Sequence, residues 1–250
     1  MEILAGVHLV DDLIMSSPTG SSPVNVGLLV EGSSITMVDA GPQGGEEAVL
    51  KYIQKIGFAP SAVRRIIITH HHHDHVGALA GLVAHTGAEV WAHRGDAGFI
   101  SGAIDRAPLE LPEERIKAFL PNAAPDQIAA LRKQYQSYAA SIKPVKVDLC
   151  LSGNEELAIL GGCQLIHTPG HTPGHMCLYL PERSLLIAGD LLRYDQGQLN
   201  GPVPGFTLDL AEAIKSLKQV AKLPFDHMYG YHGSFLAKEA DKAVRDLTVG

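Results

Sequence analysis

The sequence is poor in cysteine, in runs of positive charge and in long apolar stretches, and each shortage removes a class of protein. Only 3 cysteines occur in 250 residues, none in Cys-x-x-Cys spacing. Neither a disulfide framework nor a cysteine-built zinc site is therefore expected, and Cys150, Cys163 and Cys177 read as buried free thiols of a reducing compartment. Lys and Arg number 20 against 27 Asp and Glu, for a net charge of -7, with no basic run. That removes the electrostatic footprint of a nucleic-acid binder. The stretch Met1 to His8 has no basic flank, and the apolar segments near it are broken at Asp11 and Asp12. It reads as neither signal peptide nor membrane span, so a cytoplasmic protein is expected. At 46% hydrophobic, a chain of this length can bury one sizeable core, and a single domain over 1–250 is the expectation.

Histidine is abundant where it matters. Positions 70 to 75 hold five imidazoles and one carboxylate, His70-His71-His72-His73-Asp74-His75, directly after the apolar run Ile66-Ile67-Ile68. Imidazole is the commonest protein ligand for zinc and its neighbours, and a carboxylate among imidazoles adds the charge that lets a second ion be held. In an extended segment side chains alternate, so His70, His72 and Asp74 share one face and His71 and His73 the other. Only one set can face a metal. His75 falls where the chain turns helical and can rejoin the first set. An internal position between a buried-strand pattern and a helix start argues against a tag or a low-complexity tract.

Around this motif the pattern is strand, then helix, twice. Strands are expected at 24–30 and 34–38 with a Glu31-Gly32 turn, then a helix over 45–57, a strand at 64–69, a helix at 76–86 and a strand at 89–92. The stretch 13–23, rich in Ser, Pro and Gly, is expected to lack regular structure. Residues 94–143 lose strand character and read as a helical insertion that could act as a lid. Its aromatic residues Phe99, Phe119, Tyr135 and Tyr138 are expected to pack rather than to contact substrate. Strands resume at 145–151, 157–160, 164–167, 176–180 and 184–188, followed by a helix at 208–223, a strand at 226–229 and a last helix at 235–247. Two sheets between layers of helices follow from this order.

A dinuclear site needs about seven ligands, more than positions 70 to 75 supply. Three loops can provide the rest. In Thr168-Pro169-Gly170-His171-Thr172-Pro173-Gly174-His175, paired Pro-Gly turns make a rigid loop with His171 at its centre, a better ligand than His167 or His175 at the strand ends. Asp190 ends the apolar strand Leu185-Leu186-Ile187-Ala188, as a ligand or as a turn cap. His232 is flanked by Gly233 beyond another strand and is a better ligand than His227 within it.

With Asp39 in Val38-Asp39-Ala40-Gly41 placed before them, these motifs in this order resemble the metallo-β-lactamase-fold hydrolases. The resemblance covers nearly the whole chain outside 94–143 and implies an α/β fold, a four-layer αββα sandwich. Its register implies His70, His72 and His171 as ligands of one metal, Asp74, His75 and His232 as ligands of a second, and Asp190 as the bridge between them. Asp39 would orient a ligand histidine by hydrogen bonding. A bridging aspartate is more similar to glyoxalase II and to the acyl-homoserine lactonases than to β-lactamases. Only 18 residues follow His232 (250 minus 232), short of the C-terminal helical region of glyoxalase II.

The implied activity is hydrolysis of a carbonyl ester, thioester or lactone by a hydroxide bridging two divalent ions, zinc with iron or manganese as alternatives. Asp74 would orient the hydroxide or pass a proton. Tyr194 or Tyr231 would bind the oxyanion, Tyr194 standing four residues after Asp190 where lactonases of this fold place a tyrosine at three. The competing expectations are a mononuclear-iron oxidoreductase resembling the persulfide dioxygenases and a metal-binding protein without catalysis. The partner expected is a small-molecule substrate, with neither nucleic acid nor membrane, and a homodimer is left open.

Overall fold

Strands covered on both faces read as unbroken apolar runs, and Ile66-Ile67-Ile68 has its alternation hidden for that reason. Ile66 and Ile68 point into one core cluster and Ile67 into another. The computed structural model describes residues 1–10, 13–17, 20–105, 116–117 and 120–249. Its larger sheet has seven strands in the order β1 (Glu2–Leu4), β2 (Val7–Leu9), β5 (Gly27–Glu31), β6 (Ser34–Val38), β7 (Val63–Ile68), β8 (Glu89–His93) and β9 (Leu149–Leu151). The second sheet runs β10 (Glu156–Leu157), β11 (Cys163–His167), β12 (Met176–Leu180), β13 (Leu185–Ile187) and β16 (His227–Tyr229).

Between the sheets lies a cluster drawn from both: Leu29, Val38 and Ile67 of the first meet Leu165, Leu178, Leu180 and Ile187 of the second. The opposite face of the first sheet, with Leu28, Met37 and Ile66, is covered by Val49, Tyr52 and Ile53 of helix Glu46–Lys55 and by Leu79 and Leu82 of helix Leu79–Thr86. The opposite face of the second, with Cys177, Tyr179 and Met228, is covered by Leu217 and Val220 of helix Leu210–Val220 and Val244 of helix Ala240–Val249. Helix, sheet, sheet, helix is the four-layer sandwich that the sequence order implies.

Several local expectations need correction. Within the Ser-rich stretch 13–23 the described residues hold regular structure: β3 (Ile14–Ser17) pairs antiparallel with β4 (Gly20–Pro23), backbone pairing overriding poor strand composition. The helix expected over 76–86 is split into His73–Val76 and Leu79–Thr86. A small hairpin, β14 (Arg193–Asp195) with β15 (Gln198–Asn200), escapes the sequence pattern because its strands have only three residues each. The last helix begins at Ala240 rather than Phe235, since Leu236 is held in backbone hydrogen bonds with Met228. Cys163 and Cys177 are buried, but Cys150 is exposed. Within 94–143 the described helices are Arg94–Ser101 and Pro125–Ser141. Ile128 of the latter is buried against Ile116, with Tyr135 packed beside them, and Tyr138 packs on the first-sheet core; Phe119 lies outside the described residues.

Candidate metal centre

Parallel strands bring their C-terminal ends to the same edge, and here that edge collects the polar residues. β6 runs parallel to β7 and ends before Asp39, while β7 ends before Thr69 and His70. In the second sheet β13 runs parallel to β16, so Asp190 and His232 leave neighbouring strands in the same direction. The loop 168–175 joins β11 to β12, and the N–H of Met176 donates to the Thr69 carbonyl at 3.0 Å, tying the two sheets together beside the cluster.

Two groups of donors result. In the first, His171 Nε2 lies 3.2 Å from His70 Nε2, 3.0 Å from His72 Nδ1 and 3.4 Å from Asp190 Oδ2. In the second, Asp74 Oδ2 lies 3.2 Å from His232 Nε2 and 3.8 Å from His75 Nε2. Asp190 faces both, because its Oδ2 is 3.6 Å from His232 Nε2 and its Oδ1 3.3 Å from His75 Nε2. A tetrahedral ion with bonds of about 2.1 Å sets its donor atoms roughly 3.4 Å apart, and these spacings match such edges. His75 Nε2 and Asp190 Oδ1, facing each other, are buried atoms with no hydrogen-bond partner among the described residues, as atoms that bind a cation would be.

Neighbours hold several of the donors in place. Asp39 accepts the Thr69 N–H at 2.8 Å and the Thr69 hydroxyl at 2.9 Å, and its Oδ2 lies 3.0 Å from His75 Nδ1, which fixes the tautomer that leaves Nε2 free. It does so with a backbone φ of 61°, a left-handed conformation that costs about 1 kcal/mol or more and persists where surroundings over-determine it. His175, ranked below His171 as a ligand, sits behind the site: its Nε2 accepts the backbone N–H of Asp190 at 3.0 Å. Gly189 is required there, because a Cβ would come within 2.6 Å of that Nε2. The side chain of Asn25 donates to the carbonyls of Gly230 and Gly233, both at 2.9 Å, and steadies the turn carrying His232. Thr207 Oγ1 lies 3.4 Å from His171 Nδ1.

The remaining sequence candidates separate. His71 and His73 point away from the donors: His71 lies against Asp96 and stacks on Phe99 at 4.3 Å, and His73 meets the rings of Tyr135 and Tyr138 edge-on at 5.0 and 4.8 Å. The two tyrosines expected near the oxyanion lie in different surroundings. Tyr194 lies in β14 and packs on the apolar cluster of the second sheet. Tyr231 is buried, its hydroxyl donating to the Asp74 carbonyl at 2.6 Å and its ring lying 3.6 Å from that of His75. Sequence reasoning missed Asn25, Asp96 and the supporting role of His175, since nothing in local spacing distinguishes a tether from an ordinary polar residue.

Electrostatics suit a cation. Burial pushes His171 down to about 4 and His175 to about 3, and it holds His70 and His72 well below the ordinary imidazole value, so all four are neutral donors or acceptors near pH 7. Burial also pushes His232 and His75 down, but carboxylates overturn it. Asp190 and Asp74 raise His232 to about 10, and Asp39, Asp190 and Asp74 raise His75 well above its usual value. A field strong enough to do that favours a divalent cation among the same groups.

Comparison with known proteins identifies the family. The family model described as metallo-beta-lactamase superfamily matches residues 19–232. The probable metallo-hydrolase YflN of Bacillus subtilis is 27% identical over 215 residues, 81% of this chain and 76% of the relative. The N-acyl homoserine lactonase AiiA of Bacillus thuringiensis subsp. kurstaki is 25% identical over 228 residues, 89% of this chain and 74% of the lactonase. Among solved structures, the metallo-beta-lactamase family protein TTHA1429 of Thermus thermophilus superposes with a TM-score of 0.72 at 25% identity, covering 99% of this chain and 80% of that one.

Proposed function

The chain belongs to the metallo-beta-lactamase superfamily, and from that premise we propose that it is a two-metal hydrolase of carbonyl esters, thioesters or lactones, with zinc as the native ion. The observation that carries this reading is the sharing of Asp190 between the two donor groups. His70, His72 and His171 would hold one ion, Asp74, His75 and His232 the other, and Asp190 would serve both. Two such ions lower the pKa of a bound water toward neutrality and polarise a carbonyl, which removes the need for a protein nucleophile.

The protein's own contribution is orientation and proton handling. Asp74, with one oxygen toward His232, uses its other to orient the attacking water and to carry its proton to the departing alkoxide or thiolate. Tyr231 keeps Asp74 in register through its carbonyl rather than touching substrate. Phe206 and Leu208, both exposed, flank Thr207 beside His171, and offer apolar surface to the acyl part of a substrate close to the chemistry.

Elemental analysis of protein purified without added metal, followed by a small panel of lactones, thioesters and simple esters, tests the proposal. Two zinc ions per chain with turnover of at least one ester class is expected. One iron per chain with oxygen uptake on glutathione persulfide would replace it with an oxidoreductase, and metal without turnover of any ester would leave a binding protein.

A further inference from the structure

Asp96 donates nothing to the metal groups, yet it touches both loops that supply the first of them. It is fully buried in the first turn of helix Arg94–Ser101. Its Oδ2 accepts the backbone N–H of His71 at 2.9 Å and the Thr172 hydroxyl at 2.7 Å, and its Oδ1 accepts the backbone N–H of Gly174 at 2.7 Å. The His71 ring adds Nδ1 at 2.9 Å from Oδ2. His71 stands between donors His70 and His72, and Thr172 directly follows donor His171, so these contacts fall one residue from a donor. The approach to the second loop is close by construction, since a Cβ on Gly174 would lie 2.6 Å from the Asp96 nitrogen.

We propose that Asp96 is a positioning residue that clamps the two ligand loops together and thereby sets affinity for the ion held by His70, His72 and His171. This rests on the two-metal reading above. The clamp needs a carboxylate: an asparagine has one acceptor oxygen, and whichever way the amide is turned its NH2 meets a backbone N–H, of His71 or of Gly174. His71 and its stacked Phe99 brace the clamp from behind, which gives the outward histidine of the motif a role without coordination.

Competition for zinc between the protein and a chromophoric chelator, with metal counted per chain, tests this in wild type, Asp96→Asn and Thr172→Val. Melting of the metal-stripped proteins is recorded in parallel. Asp96→Asn should weaken one of the two ions by roughly 10- to 100-fold, the usual effect of losing a group that orients ligands, and leave the other unchanged. Thr172→Val, which removes a single contact, should weaken the same ion by less. Glu155→Gln, which alters a hydrogen-bonded turn outside the donor set, supplies a control for a mild loss of stability, and its zinc affinity should be that of wild type. Wild-type affinity for both ions in Asp96→Asn and Thr172→Val overturns the proposal, and so does an affinity loss that Glu155→Gln reproduces. If Asp96→Asn does not fold, Thr172→Val decides alone. Wild type that holds no zinc would instead sink the reading of the site itself.

Discussion

The two halves of the chain equip the centre in opposite ways. The first half supplies His70, His72, Asp74 and His75 from six consecutive residues, whereas the second supplies His171, Asp190 and His232 from three loops spread over 61 positions (232 minus 171). Side-chain alternation and one turn of helix set the relative placement of the first four, so their geometry is written in local backbone. Each donor of the second half depends on a separate tether: Asp96 for the loop of His171, His175 for Asp190, Asn25 for His232. The contiguous donors thus take their spacing from local backbone and are only steadied from outside, by Asp39, Asp96 and Tyr231, whereas the dispersed donors depend on such supports for their relative placement.

The largest effect should come from the contiguous set, where ligand and non-ligand alternate at single-residue spacing. His70→Ala and His72→Ala should lose metal and lower turnover by more than about 100-fold, since disturbing only the groups that orient ligands already costs about 10- to 100-fold. His71→Ala retains the backbone N–H that donates to Asp96, and His73→Ala loosens only the contact with helix Pro125–Ser141. Both should keep two ions per chain. Metal counting on the four proteins checks this, and loss of metal from His71→Ala or His73→Ala with retention in the other pair would invert the motif's register.

That contrast also explains what could be read from the residues. The order of two sheets between helices was legible because strand and helix periods alternate along the chain, whereas alternation divided the histidines at 70–75 into two sets without choosing between them, and the choice of His70 and His72 came from the family resemblance. The tethers were not legible. Asn25 and Gly230 are 205 positions apart, and no periodicity records a bond of that range. The surroundings of the tyrosines were hidden for a related reason: proximity in sequence to Asp190 or His232 says nothing about which face a ring takes, and Tyr194 packs on an apolar cluster while Tyr231 reaches the Asp74 carbonyl. The pairing of β3 with β4 was hidden because Ser, Pro and Gly carry little strand signal.

A smaller effect should follow from cutting a second-half tether. Asn25→Ala removes two hydrogen bonds, each worth about 1 kcal/mol, while the backbone N–H of residue 25 still donates to the Tyr231 carbonyl. A loss of about 2 kcal/mol lowers the melting temperature of a chain this size by roughly 4–8 °C. Calorimetry of the metal-stripped protein measures it. Chelator competition on the loaded protein should show that the weakened ion is the one held with His232. Unchanged melting and unchanged affinity would mean that the dispersed donors need no tether, and the contrast between the halves would fall.

The smallest effect lies away from the ions and shows how a turn can be fixed by one acidic group. Glu155 accepts the Ser152 hydroxyl at 2.6 Å and the N–H groups of Ser152, Gly153 and Asn154 at 2.7, 2.8 and 3.0 Å. Its burial alone would raise the carboxyl, but these bonds outweigh it and bring the pKa from 4.5 to about 2. A folded-state value below the unfolded one stabilises the protein above the unfolded value and is lost as pH falls through the folded one. The stability difference between wild type and Glu155→Gln should therefore be full at pH 7, shrink below about 4.5 and vanish near 2. Because the group is half-exposed, solvent screening keeps that difference small. Denaturant unfolding of both proteins at pH 7, 4 and 3 measures it, and since the metal centre is common to both, its own acid lability cancels in the difference. A gap that stays constant across this range would assign the turn's stability to shape rather than to the charge of Glu155.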